Sequence, residues 1–518
     1  MTTRFVSTFL AFALGALTVR PAGAMTMQDP AAPVDQTGAP VAPAIPAPAD
    51  ALPPPPPPPP AAPIAVPTAP APAPVEPAPT GPAATDPLAG FSDGTAFLRS
   101  PDNQFILFPN GRLQNDAYFF KSDNKVPNNS FLIRRARIEL NGWVGPWFFF
   151  HMAGDFAAGA PVGADPVAQS NLVTTDDYVG IAPFGDLAIL QVGQYDAPFT
   201  LENRTSDKYF DYMERSITVR AFGIPSNKEM GAMIHGILPQ KIAYYSLGVF
   251  NGDGQNYRNA DTKFDLMGRG WVAPLAYGPE LLRSITVGGS FWLGYRNNAL
   301  PLATQTTQGG FAFFTPKITN AAAGTTAATS YELHQDRDLQ EYAFELNAPI
   351  AHKFGARWEL VWKRQQPFRI FDNATVKPAV QSTLTNDGGK VHGYSTYGEV
   401  WFWALGDDRI IGDPGLQLPG RFKKFGVKAP QSGVMLTARF ERLNETVDAY
   451  PLSSALTGIN QVTGSTKATS YELGINYWYS RRFRGTFNYV LNHFDGDNVN
   501  IVKLKNEQEF MFRLAISL

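Results

Sequence analysis

The sequence predicts an all-β fold: a transmembrane antiparallel β-barrel of about 16 strands, preceded by a disordered Pro-rich segment. Three observations carry this. Apolar and polar residues alternate in segment after segment. The connections between segments alternate between short and long. After the N-terminus no apolar run is long enough to cross a bilayer as a helix, yet aromatic residues make up 13% of the 518-residue chain and charged residues only 17%. A mean hydropathy of -0.16 fits this class, because lipid-facing and water-facing side chains of a barrel strand cancel in an average.

The first 24 residues read as a signal peptide. Arg4 gives a positive start, 5–19 is an apolar run of signal length, and Ala22-Gly23-Ala24 is a small-x-small cleavage site. An uncut membrane anchor would need a longer apolar run. Residues 25–94 form a Pro/Ala-rich periplasmic linker, with eight consecutive prolines from Pro53 to Pro60. Such a stretch cannot build a hydrogen-bond ladder and has too little bulk for a core. At about 3.1 Å per residue, roughly sixty residues would reach about 190 Å as polyproline II. The expectation is either a passive leader or a tether toward peptidoglycan. The barrel domain is then 95–518.

Within the barrel, Leu132, Ala136, Ile138 and Leu140 fall on one face, opposite Arg135, Arg137, Glu139 and Asn141. Successive strand side chains point to opposite faces, so this is a strand with one apolar and one charged side. Phe148, Phe150 and Met152 likewise oppose His151 and Asp155, and Phe510, Phe512, Leu514, Ile516 and Leu518 oppose Arg513 and Ser517. The same walk places strands at 112–120, 131–143, 147–156, 174–182, 187–195, 229–238, 242–250, 264–274, 284–296, 339–349, 355–367, 391–403, 431–443, 468–479, 483–494 and 507–518. The count is even, as a bacterial single-chain barrel requires.

With the first strand rising from the periplasm, the even-to-odd connections are short: Gly145-Pro146, Pro183 to Asp186, Pro239 to Lys241 and Ser480 to Arg482. The odd-to-even connections are long, notably 196–228, 297–338 and 368–390. Short periplasmic turns and long external loops are the expected asymmetry. Connection 404–430 breaks it, as either a periplasmic extension or a missed hairpin. Trp147, Trp271, Trp358, Trp362, Trp401, Trp403, Trp478 and Tyr479, near strand ends, suggest interfacial girdles. A soluble β-sandwich would also alternate, but with its apolar face inside.

Zero Cys excludes disulfides, thiolate metal sites and a lipid-anchored cysteine, and a net charge of -2 argues against nucleic-acid binding. The six histidines are scattered, with no HExxH or GxSxG pattern, so no enzyme chemistry, cofactor or metal is expected. Asn251 to Gly254 lacks the later acidic ligands of a calcium loop and reads as an external turn.

The run 131–142 (Phe-Leu-Ile-Arg-Arg-Ala-Arg-Ile-Glu-Leu-Asn-Gly), Asp155-Phe156, Gly193 to Phe199 and Met213 to Ser216 resembles the phosphate-selective porin O and P family, as does 471–489. The resemblance implies an outer-membrane location, sixteen strands, a homotrimer, and a third external loop folded inward to narrow the channel. That loop would be 196–228, carrying Pro198-Phe199 and Glu214-Arg215-Ser216. Two departures stand out. Asp196 lies where the family commonly has a basic residue, and the chain ends in Leu518 rather than Phe. The proline-rich leader lies outside the family pattern.

A porin performs no covalent chemistry; the radius and charge of its hydrated path decide what passes. Pore-lining bases expected from alternation are Arg135, Arg137, Arg269, Arg357, Lys363, Arg439, Arg484 and Arg513. The constriction loop adds Arg204, Lys208, Arg215, Arg220 and Lys228. Acids share these places: Glu139, Asp155, Asp265, Glu345, Glu359, Glu441 and Glu472 on the walls, and Asp196, Glu202, Asp207, Asp211 and Glu214 in the loop. Arg357 with Glu359, or Arg439 with Glu441, stand at i and i+2 and could pair to stiffen the wall. The function expected is passive diffusion of small hydrophilic solutes with a mild preference for anions, phosphate among them. The alternatives are an envelope-anchoring barrel tethered by its leader and a dedicated importer of one organic solute. Expected partners are outer-membrane lipid and small anions or other small solutes.

Overall fold

A computed structural model describes residues 88–92, 95–158, 171–224, 227–320, 329–372, 388–411, 432–449, 460–495 and 504–517. The signal peptide, nearly all of the linker with its proposed contact to peptidoglycan, and Leu518 lie outside the described residues.

Sixteen antiparallel strands form a closed ring. They are β1 (Phe105–Ser122), β2 (Ser130–Val144), β3 (Phe148–Ala158), β4 (in two pieces, Asn171–Thr174 and Asp177–Ile181), β5 (Ile189–Asp196) and β6 (Lys228–Ile237). There follow β7 (Ala243–Phe250), β8 (Asp265–Val272), β9 (Thr286–Pro301), β10 (Thr329–Ile350) and β11 (Phe354–Asp372). The last five are β12 (Gly389–Leu405), β13 (Gly433–Ala449), β14 (Lys467–Ser480), β15 (Phe483–Asp495) and β16 (Glu507–Ser517). Each pairs with its chain neighbour, and β16 returns to β1 with Ser517 opposite Arg112 and Glu507 opposite Ser122. Closure leaves no edge whose backbone groups would lie unsatisfied in lipid. Every strand expected from the alternation is present. Connection 404–430 carries no extra hairpin among its described residues, only a short 3-10 turn at Asp408–Ile410. A small hairpin, Ala89–Ser92 with Thr95–Arg99, precedes the ring and joins β1 through Leu98 opposite Leu107.

The two faces are sorted as a membrane barrel requires. Val179, Val192, Leu247, Phe344, Val400, Phe402, Leu473, Ile475 and Leu514 are exposed on the outside. Arg269, Glu345, Glu359, Glu399, Arg439, Glu441, Glu472, Asn488 and Arg513 are buried inside. A soluble sandwich has the opposite polarity.

Two expectations about facing need correction. Leu132 does not share the outer face of Ala136 and Ile138. The β1–β2 register slips between Gln114–Arg135 and Asn115–Ile133, leaving Arg134 as an extra residue. A bulge inverts the parity beyond it. Leu132 therefore packs inward beside Tyr118 and Met213, Phe131 and Ile133 face out, and Arg134 joins Arg135 on the lumen side. The second correction concerns the girdle. Trp147, Trp358, Trp362 and Tyr479 are exposed outside. Trp401, Trp403 and Trp478 are buried in a cluster with Ile410, Ile411 and Met435. Trp271 stacks on the inward Tyr244. Phe402 and Tyr477 hold the outward positions next to them.

Candidate functional site

Between β5 and β6 the chain turns into the barrel and crosses it. The turn begins at Pro198-Phe199. Phe199 is fully buried, edge-on to Trp292 at 5.9 Å between ring centroids. Thr200 adopts a φ of 63°, unusual for a β-branched residue. Bonds on both sides hold it there: its amide donates to Ser290 Oγ at 3.0 Å, and its Oγ1 accepts from Asn203 N at 3.1 Å. Two short helices follow, α1 (Leu201–Arg204) and α2 (Ile217–Phe222). Asn203 Nδ2 ties the neck by donating to the carbonyls of Ala197 and Asn227, each at 3.1 Å.

Helix amides at an N-terminus lack intrahelical partners and favour negative charge. Here carboxylates of the wall supply it. Glu359 accepts from Leu201 N at 2.5 Å and Glu202 N at 3.1 Å, and Glu441 accepts from Ile217 N at 2.5 Å. Glu202 links the two helices, accepting from Ser216 N at 3.0 Å and Ser216 Oγ at 2.6 Å. The far wall also binds the loop. Asn488 Oδ1 accepts from Met213 N, Asn476 Nδ2 donates to Asp211 O, Arg484 Nη1 to Phe210 O and Arg513 Nη1 to Met213 O, all within 2.8 Å. The inward fold that the resemblance implied for 196–228 is present.

All eight wall bases point inward, and most meet carboxylates. Arg135 lies 2.6 Å from Asp207, and Arg137 2.7 Å from Asp155 and 3.5 Å from Asp207. Arg269 grips Glu345 with two bonds. Arg357 pairs with Glu399 and Asp211, not with Glu359 as its spacing suggested. Lys363 lies 3.4 Å from Glu341 and 3.6 Å from Glu445. Arg439 meets Glu202, Glu441 and Glu472. Arg513 grips Asp116 and touches Glu214. Arg484 has no carboxylate partner among the described residues; its guanidinium lies over Trp478.

In the loop, Lys208 pairs with Glu139 at 2.8 Å and Lys228 sits between Asp176 and Asp196. Arg204 donates to the carbonyl of Asp196, Arg215 lies over Phe210, and Arg220 donates to Thr306 Oγ1 and lies 3.7 Å from Glu214. Asp196, the departure from the family pattern, is thus neutralised at the loop's neck. Among the described residues, Arg112, Arg134 and Arg296 are lumen bases that the sequence did not single out. Arg112 meets Glu139 and Asp207, Arg134 meets Glu214, and Arg296 meets Asp265. Arg134 was hidden by its bulge; Arg112 and Arg296 lie on strands that alternation had already marked.

Most pairs that touch water turn the cation outward. Arg134 keeps 24% of its side-chain exposure against 4% for Glu214, Arg220 23% against the same Glu214, and Lys208 13% against 6% for Glu139. Arg137 over Asp155 and Arg357 over Glu399 follow the same order. Lys228 is reversed against both Asp176 and Asp196, and Arg442 slightly so against Asp495. Burial disfavours the charged form of Glu214, but Arg134, Arg135 and Arg513 outweigh it and hold its carboxyl well below the usual range. Burial pushes the Lys208 ammonium down to about 8, against the pull of Glu139.

A second external segment also enters, which the sequence reading treated only as a long loop. Gln308 Nε2 donates to Glu441 at 2.8 Å and Gly309 N to Glu509 at 2.7 Å. Phe311 and Phe313 pack on Phe494. The turn Asn251 to Gly254 closes on a carboxylate: Gly252 N and Gly254 N both donate to Glu229.

The family model for phosphate-selective porin O and P matches residues 109–301, which run from β1 through β9 and include the lumen loop. Over that stretch the chain is similar to the phosphate-selective porin O and P family. It is a bacterial outer-membrane channel barrel, and the family points to a channel rather than an enzyme. A search of curated proteins finds no significant match. Among solved structures, the chain is similar to the outer-membrane protein OmpT of Vibrio cholerae, at 10% identity over 81% of this chain and 99% of that one, TM-score 0.46. It is also similar to the outer-membrane channel DcaP of Acinetobacter baumannii (9%, 81% and 99%, TM-score 0.44). A third is an anion-selective porin from Comamonas acidovorans (10%, 80% and 100%, TM-score 0.42).

Proposed function

We propose that this porin passes small hydrophilic solutes by passive diffusion and prefers anions, phosphate and other small oxyanions among them. One observation carries the reading: where ion pairs of the lumen meet water around the crossing loop, the cation is mostly the more exposed member. A permeating ion then meets guanidinium and ammonium groups first, with the carboxylates set behind them. Guanidinium groups suit this role because they stay charged and match oxyanions with paired donors. The narrow path in this account runs beside β1–β3, past Arg134, Arg137 and Lys208. The family resemblance adds a homotrimer in the membrane as the working assembly.

The test is the reversal potential across a planar bilayer in a potassium chloride gradient. Anion selectivity supports the proposal, and clear cation selectivity overturns it.

A further inference from the structure

Three deeply buried carboxylates and one arginine of the lumen stand apart from the water-facing pairs. Glu359, Arg439, Glu441 and Glu472 are each at most 3% exposed and touch the loop or one another rather than water. Glu359 holds the first turn of α1 and also accepts from Tyr397 Oη at 2.7 Å. Glu441 holds the first turn of α2 and Gln308 of the second inserted segment. Arg439 joins them, with Glu202 at 3.1 Å, Glu441 at 2.8 Å, Glu472 at 2.5 Å and the Glu214 carbonyl at 3.3 Å. Its guanidinium lies 4.2 Å from the Tyr212 ring centroid. Every one of these contacts joins wall to loop, loop to loop, or wall to wall.

We infer that Glu359, Arg439 and Glu441 are positioning residues: a docking clamp that sets the width of the constriction and takes no direct part in ion selection. The inference rests on the channel reading alone, not on the anion preference. It makes a demand that a lining role cannot meet. Residues of opposite charge must give the same phenotype, because removing either end of a clamp releases the same loop. Lining charges of opposite sign must shift selectivity in opposite directions.

The experiment uses the full-length protein purified from outer membranes, with single-channel recording of Glu359→Ala and Arg439→Ala beside the unaltered chain. Both variants are expected to raise unit conductance roughly twofold and to add open-channel noise, as a freed loop would. Opposite shifts of reversal potential without added noise would overturn the inference, as would unchanged conductance in both. A further variant guards against a protein that merely folds badly. Thr218 Oγ1 and Ser395 Oγ lie 2.9 Å apart across the loop–wall contact, and the chain has no Cys. Thr218→Cys with Ser395→Cys, oxidised in the Glu359→Ala background, is expected to restore conductance and quiet the channel. Reducing the disulfide should release it again. A cross-linked channel as noisy as the uncross-linked one would count against the clamp.

Discussion

Arg134→Gln tests the charge arrangement most cleanly. Arg134 Nε and Nη2 donate to Glu214 at 2.8 and 3.1 Å while about a quarter of the side chain faces water. Removing one partner of a buried pair usually leaves the other charge stranded, at a cost of about 3–5 kcal/mol. Glu214 is not stranded here: Arg513 remains at 3.1 Å and Arg220 at 3.7 Å. Folding should therefore change little, and the effect falls on the path. One unit charge about 6 Å from a permeating ion contributes ~0.7 kcal/mol in water. Its removal should lower anion partition about threefold and raise cation partition about threefold, a change of about tenfold in the permeability ratio. Reversal potentials in a salt gradient measure that ratio directly. An unchanged ratio, or a shift toward anions, would refute the reasoning.

Other consequences follow from the same geometry. Lys208 is charged below about pH 8 and neutral above it, so raising the pH from 7 to 9.5 should weaken anion preference, read as reversal potential. Its folded value lies below the ordinary 10.5, so the folded state holds fewer protons between the two values and this group's contribution to stability rises with pH across that window. Glu214→Gln leaves Arg134 and Arg220 without their carboxylate while Arg513 keeps Asp116, so loop docking should weaken by up to about 3 kcal/mol, seen as faster proteolysis within 197–227. Ile138 faces lipid in mid-strand, and Ile138→Arg should cost about 2–4 kcal/mol in urea titrations of folding into bilayers; Leu132→Gln, behind the bulge, should cost much less.

The strands were legible because a half-lipid, half-water wall writes its two faces into every second residue. Sixteen segments could be read that way, and a one-residue slip within them could not. Nothing in Phe131 to Arg137 announces that Arg134 is the bulged residue; only pairing against β1 decides it. The tryptophans mislead for a related reason. Residue type suggested an interfacial belt, while parity beside Phe402 and Tyr477 puts Trp401, Trp403 and Trp478 inside. The inward loop was legible from its Pro-Phe and Glu-Arg-Ser pieces, and the geometry explains why each is there. Phe199 wedges the turn, Glu214 takes three arginines, and Ser216 caps α2. The ion-pair partners were only half legible. Arg439 does meet Glu441, two residues on, but Arg357 turns to Glu399 and Asp211 while Glu359 serves a helix more than 150 residues away. Such pairings depend on which strands close the ring and where the loop crosses it.

Labelling of single cysteines tests the central claim most directly, since the native chain supplies no thiol. Asn141→Cys lies on the inward face of β2, and Leu473→Cys on the outward face of β14. In intact outer membranes, charged thiosulfonate reagents should modify position 141, the anionic reagent faster than the cationic one, and leave position 473 untouched. Modification at 473 with protection at 141 would contradict the wet, loop-crossed lumen on which the whole account stands.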